Sequence, residues 1–500
     1  MNWLNDIIGV INNYLWSYVL IVMLIGIGLW FTVRTRFVQI RCIPEMFRLM
    51  TEGAGAKPRE GHISTFQAFC VSTASRVGVG NIAGIAIAVA TGGPGAVFWM
   101  WVIATIGAAS GFVESTLAQI YKAPRKGGGF VGGPAYYIGN VIGSSFFASV
   151  FAVLLAVTYG LIFNSVQANT ISLSMQTSFG FDTQMTGLAI AGFTALVIFG
   201  GLTRIAKVVG VMVPVMAGAY ILVALAVTAL NITMVPEVLV TIVRCAFDFD
   251  AVLGAGFGMA LMTGIKRGLF SNEAGMGSTP HAHAVARVKH PAEQGLAAII
   301  GLFIDTFIVV NMTAFVILCT GALDGTTTGI ALTQKAFTLG LGTIGNGFVA
   351  VCLLFFAFTT IVGWYFFAEQ NVKYLVGVRY VSIYRVLVLA FIMAGSFLHV
   401  TLVWELADLF NGLMAIPNII ALIGLSKVVG RALEDYEKKF LAGETPEFGE
   451  LAPVPADIPR YNGAPAQDPA LEPKPQHHRR LGGLRNRFRR RPHNAQENDA

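Results

Sequence analysis

Residues 71–84 read Val71-Ser72-Thr73-Ala74-Ser75-Arg76-Val77-Gly78-Val79-Gly80-Asn81-Ile82-Ala83-Gly84. Residues 263–277 read Thr263-Gly264-Ile265-Lys266-Arg267-Gly268-Leu269-Phe270-Ser271-Asn272-Glu273-Ala274-Gly275-Met276-Gly277. Each stretch interrupts an apolar run, and neither suits a plain membrane helix. Glycine costs roughly 1 kcal/mol in a helix interior, and a charge at the bilayer centre about 2.5–3.5 kcal/mol. Sequence that accepts both costs twice lines a polar cavity. Close helix packing would account for the glycines, but not for Arg76, Asn81, Asn272 and Glu273 beside them. Both stretches therefore read as broken helices.

The surrounding 500-residue chain sets them in a membrane. Hydrophobic residues make up 55% of it and charged residues 12%, against about 25% charged in an average globular protein. Of the 61 charged side chains, 23 fall within 428–500, leaving 38 for the preceding 427 residues. That is too few to coat a water-facing surface. A soluble enzyme, a nucleic-acid-binding domain and a secreted disulfide scaffold are excluded. The five cysteines (Cys42, Cys70, Cys245, Cys319, Cys352) share no pair spacing and read as packing residues. Asp6 interrupts the amino terminus and the apolar run 14–32 is long enough to span, so no cleavable signal peptide is expected.

The expected fold is an all-α polytopic membrane protein with about 11 transmembrane helices. These lie near 14–32, 64–91, 96–120, 146–177, 185–201, 208–230, 252–279, 293–322, 346–370, 383–398 and 402–426. Amphipathic segments near 233–250 and 326–341 read as surface helices or lids. Alternate loops carry 17 and 2 Lys/Arg, the two being Arg244 and Lys335. That bias puts the amino terminus outside and the carboxyl terminus in the cytoplasm. Four regions follow: an extra helix and linker (1–62), two halves (63–230 and 231–427), and a disordered cytoplasmic tail (428–500) with no apolar period after Gly443. The basic run 485–491 holds one aromatic residue, Phe488, and reads as a lipid-touching tail, with no nucleic-acid partner.

Five spans begin with each broken helix. Five is odd, so the second set enters from the opposite side, which makes an inverted 5+5 repeat. Paired broken helices in two inverted halves point to a secondary-transporter site. Freed N–H groups and a positive dipole end suit a carboxylate, and freed carbonyls suit Na⁺ or an ammonium group. A zwitterionic amino acid presents both charges. Gly78 and Gly80 permit close backbone approach, Asn81, Ser271 and Asn272 supply donors and acceptors, and Thr359-Thr360 is the best hydroxyl pair for a cation.

Gly92-Gly93-Pro94-Gly95-Ala96-Val97-Phe98-Trp99-Met100-Trp101 resembles the signature of the alanine or glycine:cation symporters, the sodium:alanine symporter family. Gly78 to Gly84, Asn164-Ser165-Val166-Gln167-Ala168-Asn169 and Arg267 to Gly275 are similar to further blocks of that family. The resemblance covers roughly residues 10–430. It implies the leucine-transporter-like inverted-repeat fold with one extra amino-terminal helix, and Na⁺-coupled import of alanine or glycine. Carried over by motif, the substrate pocket comprises Val79, Gly80, Asn81, Gln167, Phe270, Ser271, Asn272 and Trp364. The Na⁺ site takes carbonyls near Ser75 and Gly78 with the hydroxyls of Thr359 and Thr360. No organic cofactor and no catalytic group is implied. The location is a bacterial plasma membrane, and a monomer is the simplest assembly. Val79 stands where the family often carries Thr, and Arg76 enters a stretch that is often uncharged.

Other features receive blander readings. Neither Gly78-Val79-Gly80 nor the run 127–133 has the strand or Lys-Ser/Thr context of a phosphate loop. His281 and His283 form a His-x-His pair, read as a cytoplasmic loop pair in preference to a metal site. Glu114, Asp305 and Glu369 are membrane carboxylates. They form either a proton relay or pairs with Arg76 or Arg267, and pairing is favoured. Trp99, Met100 and Trp101 read as packing and interface anchors. Proton-coupled transport through Glu114 or Asp305 is the runner-up function. A channel or an embedded hydrolase finds no support in the layout.

Overall fold

Hydrocarbon on the outside and polar groups on the inside is the pattern a bilayer solvent imposes, and the outer helices follow it. The computed structural model describes residues 2–54, 63–124, 129–142, 145–249, 256–398, 400–444 and 446–447. On Gly201–Leu230, Val211, Val215 and Leu222 point outward while Val209, Val213, Met216 and Tyr220 face the protein. The interior holds Ser72, Ser75, Asn81, Gln167, Ser271, Asn272 and Asp305, all buried. No lipid could satisfy those groups, so they must satisfy one another.

Among the described residues the chain is helical, apart from a hairpin pairing Ala123–Pro124 with Phe130–Val131 and one bridge between Ile63 and Ala286. Eight helices among the described residues are long and apolar enough to cross a membrane, and Thr65–Arg76 with Gly80–Gly92 adds a ninth span bent by 46°. Two of the expected spans fall short of this measure. Thr183–Ile198 has 16 residues and Gly256–Asn272 has 17, the latter with Lys266 and Arg267 inside it. Spanning takes about 20.

The long helices Gly95–Ile120 and Thr343–Val376 are the most enclosed, each 67% buried over its apolar window, whereas Gly201–Leu230 is 28% buried. The breaks are buried too, over 68–76 apart from Phe69, over Gly80–Gly84 and over 267–272. The segments expected near 233–250 and 326–341 are helices, Val235–Ala246 and Gly329–Leu341. The second packs on the first broken helix, with the Thr333 hydroxyl donating to the Ile82 carbonyl at 2.7 Å. All five cysteines are buried and unpaired, as packing residues should be.

Residues 428–442 depart from the expected disorder. They belong to the helix Ser426–Ala442, whose buried Val429, Ala432, Leu433 and Tyr436 recur every three or four residues. That apolar stripe lies among many charges, which hid it from a reading based on composition. The remaining tail from 448 onward, with the basic run 485–491, lies outside the described residues.

Candidate functional site

The first break begins where a well-capped helix runs out of partners. Ser64 and Gln67 form a reciprocal capping box at the start of Thr65–Arg76. Val77 then leaves the helix (φ −81°, ψ 87°), and the chain resumes as a wide turn over Gly80–Gly84 before Ile85–Gly92. Two of the freed amides find side-chain oxygens. The Gly78 N–H donates to Asn81 Oδ1 at 2.8 Å, and the Val79 N–H donates to Gln167 Oε1 at 3.1 Å. Gln167 Nε2 is buried without a partner. It is a donor held ready beside the break.

On the carbonyl side, the Thr360 hydroxyl lies 2.8 Å from Ala74 O, 3.1 Å from Val77 O and 2.9 Å from Phe356 O. One hydroxyl proton satisfies one of these three acceptors. The remaining lone pairs form an oxygen-rich cluster, the donor set a hard monovalent cation prefers. The carbonyls brought to Thr360 come one residue before Ser75 and Gly78. Gly78 is nonetheless at the same spot, since a Cβ there would sit 2.5 Å from Thr360 Oγ1. Ser75 turns its hydroxyl to Ser72 O and Glu273 Oε2, at 2.8 and 3.1 Å. Thr359 bonds Phe356 O at 2.9 Å and faces the Met216 sulfur on another helix, at 3.7 Å.

The second break ends Gly256–Asn272. Glu273, Gly275 and Gly277 all take positive φ (56°, 76° and 80°), and the chain re-enters a helix at Pro280–Ala284. A non-glycine residue in that region stores strain. Glu273 is held there by Ser278 Oγ at 2.7 Å, Ser75 Oγ at 3.1 Å and Trp364 Nε1 at 2.5 Å. Arg76 caps the broken helix end: its Nε donates to Asn272 O at 2.9 Å, and its other nitrogens reach Thr279 Oγ1 and Ala298 O. A cation against a helix carboxyl end is favourable.

The two breaks touch. A Cβ on Gly80 would lie 3.1 Å from Ser271 Cα and 3.3 Å from the Phe270 ring. Asp305 joins them, accepting from Asn81 Nδ2 at 2.6 Å and from Ser271 Oγ at 2.9 Å. Asn272 points away from this contact, with its side chain on Ala274 N at 3.1 Å and Thr306 Oγ1 at 3.4 Å. An aromatic wall closes the other side: Phe163 lies 4.8 Å from Phe270 and 4.9 Å from Trp364, and Trp404 lies 4.9 Å from Phe270, all between ring centroids. Val79, Gly80, Asn81, Gln167, Phe270, Ser271 and Trp364 thus converge at one centre.

In the sequence alone Phe163 and Trp404 have no place at that centre; Glu273 is marked as part of the second break and Asp305 as a membrane carboxylate, but neither is assigned to the substrate pocket. Phe163 lies four residues before Gln167 on the same helical face, a signal available in the sequence. The expected pairing of membrane carboxylates with Arg76 is corrected. Glu114 accepts from Gly277 N at 3.0 Å and Asn418 Nδ2 at 3.2 Å, while Glu369 pairs with Lys373 and Arg385. Among the described residues Arg76 has no ion-pair partner, and Arg267 pairs with Asp408. In each case a nearer group in the folded interior takes the place of the partner inferred from charge alone.

The His-x-His pair is also corrected, because it is not a solvated loop. Both rings are buried, with His281 on Ser278 O and Asn371, and His283 on Gln294 and Ser72. Burial pushes His281 down to about 4 and His283 to about 3, which keeps both neutral. They pin the segment that follows the second break. No group of metal-ligating side chains occurs among the described residues. Trp99 and Trp101 act as anchors, donating to Ala246 O at 3.1 Å and Asn311 Oδ1 at 2.7 Å.

Two broken helices meeting at a buried centre, with cation-suited oxygens beside the unpartnered donor Gln167 Nε2, are the layout of a membrane transporter. The sequence profile described as the sodium:alanine symporter family matches residues 1–450, and the chain belongs to that family. It is therefore a multi-pass membrane protein and a cation-coupled amino-acid symporter. Over 447 residues it is 48% identical to the probable sodium/glutamine symporter GlnT of Bacillus subtilis, covering 89% of this chain and 93% of that one. The putative sodium/proton-dependent alanine carrier protein YrbD of the same organism is 42% identical, over 89% of this chain and 95% of its own. The sodium/alanine symporter AgcS of Methanococcus maripaludis is 39% identical, over 85% and 95%.

Proposed function

We propose that the protein imports a small neutral amino acid, alanine or glycine, together with Na⁺ by alternating access across the bacterial plasma membrane. The observation that carries this reading is the meeting of the two breaks at Gly80 and Ser271, with Thr360 facing the freed carbonyls. The substrate carboxylate replaces Asn81 and Gln167 on the amides of Gly78 and Val79, and Gln167 Nε2 adds a donor. The ammonium group lies toward Asp305 and Ser271. Phe270 and Trp364, backed by Phe163, face a side chain no larger than a methyl or hydroxymethyl group. Na⁺ binds at Ala74 O, Val77 O and Thr360 Oγ1, with Ser75, Gly78 and Thr359 flanking it.

Charge at the two breaks couples the sites. A cation at the carbonyl end and a carboxylate at the amide end each stabilise the other across a few residues of unwound chain. In this reading eleven spans place the amino terminus outside and the carboxyl terminus in the cytoplasm. The halves 63–230 and 231–427 are inverted repeats that rock about the centre. One copy contains every site residue, so a monomer suffices.

A second reading, coupling to protons, draws on Glu114, whose Oε1 is buried without a hydrogen-bond partner. Competition against radiolabelled alanine uptake, in Na⁺ and in Na⁺-free buffer, tests the substrate assignment. Unlabelled alanine and glycine should compete only in Na⁺. Competition by glutamine with no effect of glycine would overturn the small-substrate reading.

A further inference from the structure

The Asp6–Arg34 helix ends in a turn of unusual backbone. Arg36 and Phe37 both take left-handed conformations, φ 54° and 57°, without being glycine. Two such residues in succession are strained, and persist only where the surroundings hold them. Here Arg41 does so: its guanidinium donates to Arg36 O at 3.1 Å and Thr35 O at 3.3 Å, and pairs with Glu437 at 2.5 Å. The turn is thereby clamped to the Ser426–Ala442 helix, and a cavity of about 590 Å³ opens between them. That lies within the range of about 300–1,000 Å³ typical of small-molecule sites.

Its lining is net positive in formal charge. Five basic side chains, Arg34, Arg36, Arg41, Lys427 and Arg431, face two acidic ones, Glu434 and Glu437, a formal excess of three. Arg41 and Glu437 are occupied with each other. Arg34, Arg36 and Lys427 are exposed, and within the described residues their side chains make no hydrogen bond or ion pair.

The cavity also has a definite depth. Trp30 and Val33, on its rim, are 55% and 68% exposed at the end of an apolar helix whose Val22 and Leu29 also face outward. Outward-facing apolar residues that give way to Trp and then to arginines mark the boundary between acyl chains and headgroups. A ligand there would offer hydrocarbon to Trp30 and an anion to the arginines. Guanidinium forks match phosphate oxygens in geometry.

We propose that this cavity binds the phosphate headgroup of an anionic phospholipid, with its acyl chains running along Trp30 and Val33. Bound lipid would fasten the Ser426–Ala442 helix to the end of the first helix, stabilising the folded protein independently of amino acid or Na⁺. None of its lining residues belongs to either helix break, and the site does not depend on the transport reading.

The test is a thermal-stability titration of the full-length protein in neutral detergent with short-chain phosphatidylglycerol. Parallel arms use phosphatidylcholine of the same chain length and inorganic phosphate. Phosphatidylglycerol alone should give saturable stabilisation. The exposed pair Arg34→Gln and Lys427→Gln, combined, should raise its half-saturating concentration about 30-fold, at about 1 kcal/mol for each basic residue near an anionic surface. The Arg34→Lys and Lys427→Arg double variant should retain most of the effect. A control pair away from the cavity, Lys207→Gln with Arg379→Gln, should leave it unchanged. Equal stabilisation by phosphatidylcholine would reduce the effect to hydrophobic solvation, and stabilisation by phosphate alone would make this a soluble-anion site. An equal shift in the control pair would make it diffuse surface charge. Any of the three overturns the proposal.

Discussion

The cation assignment is most sharply tested at Gly78. An alanine methyl there would sit 2.5 Å from Thr360 Oγ1 and 3.1 Å from both Thr360 Cβ and Gln167 Oε1. Thr360 is buried on Thr343–Val376 and, being β-branched, is stiff at χ1. Its hydroxyl must therefore move off Ala74 O and Val77 O. Overpacking of this kind costs about 1–3 kcal/mol. At about 1.4 kcal/mol per factor of ten, Gly78→Ala should weaken Na⁺ half-saturation of uptake by roughly 5- to 150-fold. The assay is Na⁺-dependent alanine uptake in vesicles at saturating alanine, with thermal melting of the purified variant alongside. Adding Thr360→Ala removes the 2.5 Å contact but leaves those with Cβ and Gln167 Oε1 at 3.1 Å, so the double variant should regain part of the lost melting temperature but not Na⁺ affinity. Gly84→Ala is the control, because its methyl would meet nothing closer than 3.8 Å. An unchanged Na⁺ requirement in Gly78→Ala, or a defect confined to the KM for alanine, would refute the reasoning.

Four further outcomes are expected. Thr360→Val should raise the Na⁺ requirement by about 1–3 kcal/mol through the lost polar partner while leaving alanine KM at saturating Na⁺ unchanged; a change in alanine KM alone would move the cation elsewhere. Asn81→Ala removes the donor that holds Asp305, toward which the substrate ammonium is placed, so alanine KM should rise at least tenfold; wild-type kinetics would remove Asn81 from the pocket. Asp408→Asn leaves buried Arg267, and Lys266 beside it, without their shared ion-pair partner and should cost about 3–5 kcal/mol of stability, recovered in part by adding Arg267→Gln, both read by melting. Histidines in an unfolded chain titrate near about 6.5, whereas burial holds His281 at about 4 and His283 at about 3. The unfolded state therefore takes up protons first, and stability should fall as pH drops from about 6.5 toward 4. His281→Gln should flatten that acid limb, and an unaltered slope would contradict the assignment.

The breaks were legible because their cost was written locally: three glycines with Arg76 and Asn81 in one stretch, and two cations with Glu273 in the other. The Thr359-Thr360 pair was legible by residue type, but not which hydroxyl faces the break, since helix rotation is a tertiary quantity. The same holds for Arg76. Its charge was visible, while its partner, the carbonyl end of the other broken helix, lies 196 residues away. His281 and His283 misled because a His-x-His pair beside lysines and arginines looks solvated. Only packing against Ser72, Gln294 and Asn371 shows them buried. Residues 428–442 misled for the converse reason, a narrow apolar stripe diluted by charge.

The central claim is that a cation at the Thr360 carbonyl cluster drives amino-acid entry. Its most direct test is alanine uptake by the purified protein in vesicles under an inward Na⁺ gradient, compared with an inward proton gradient of equal size in Na⁺-free buffer. Concentrative uptake with Na⁺ and none with protons is the predicted result. Equal uptake under the proton gradient would contradict it and turn attention to Glu114 and Asp305.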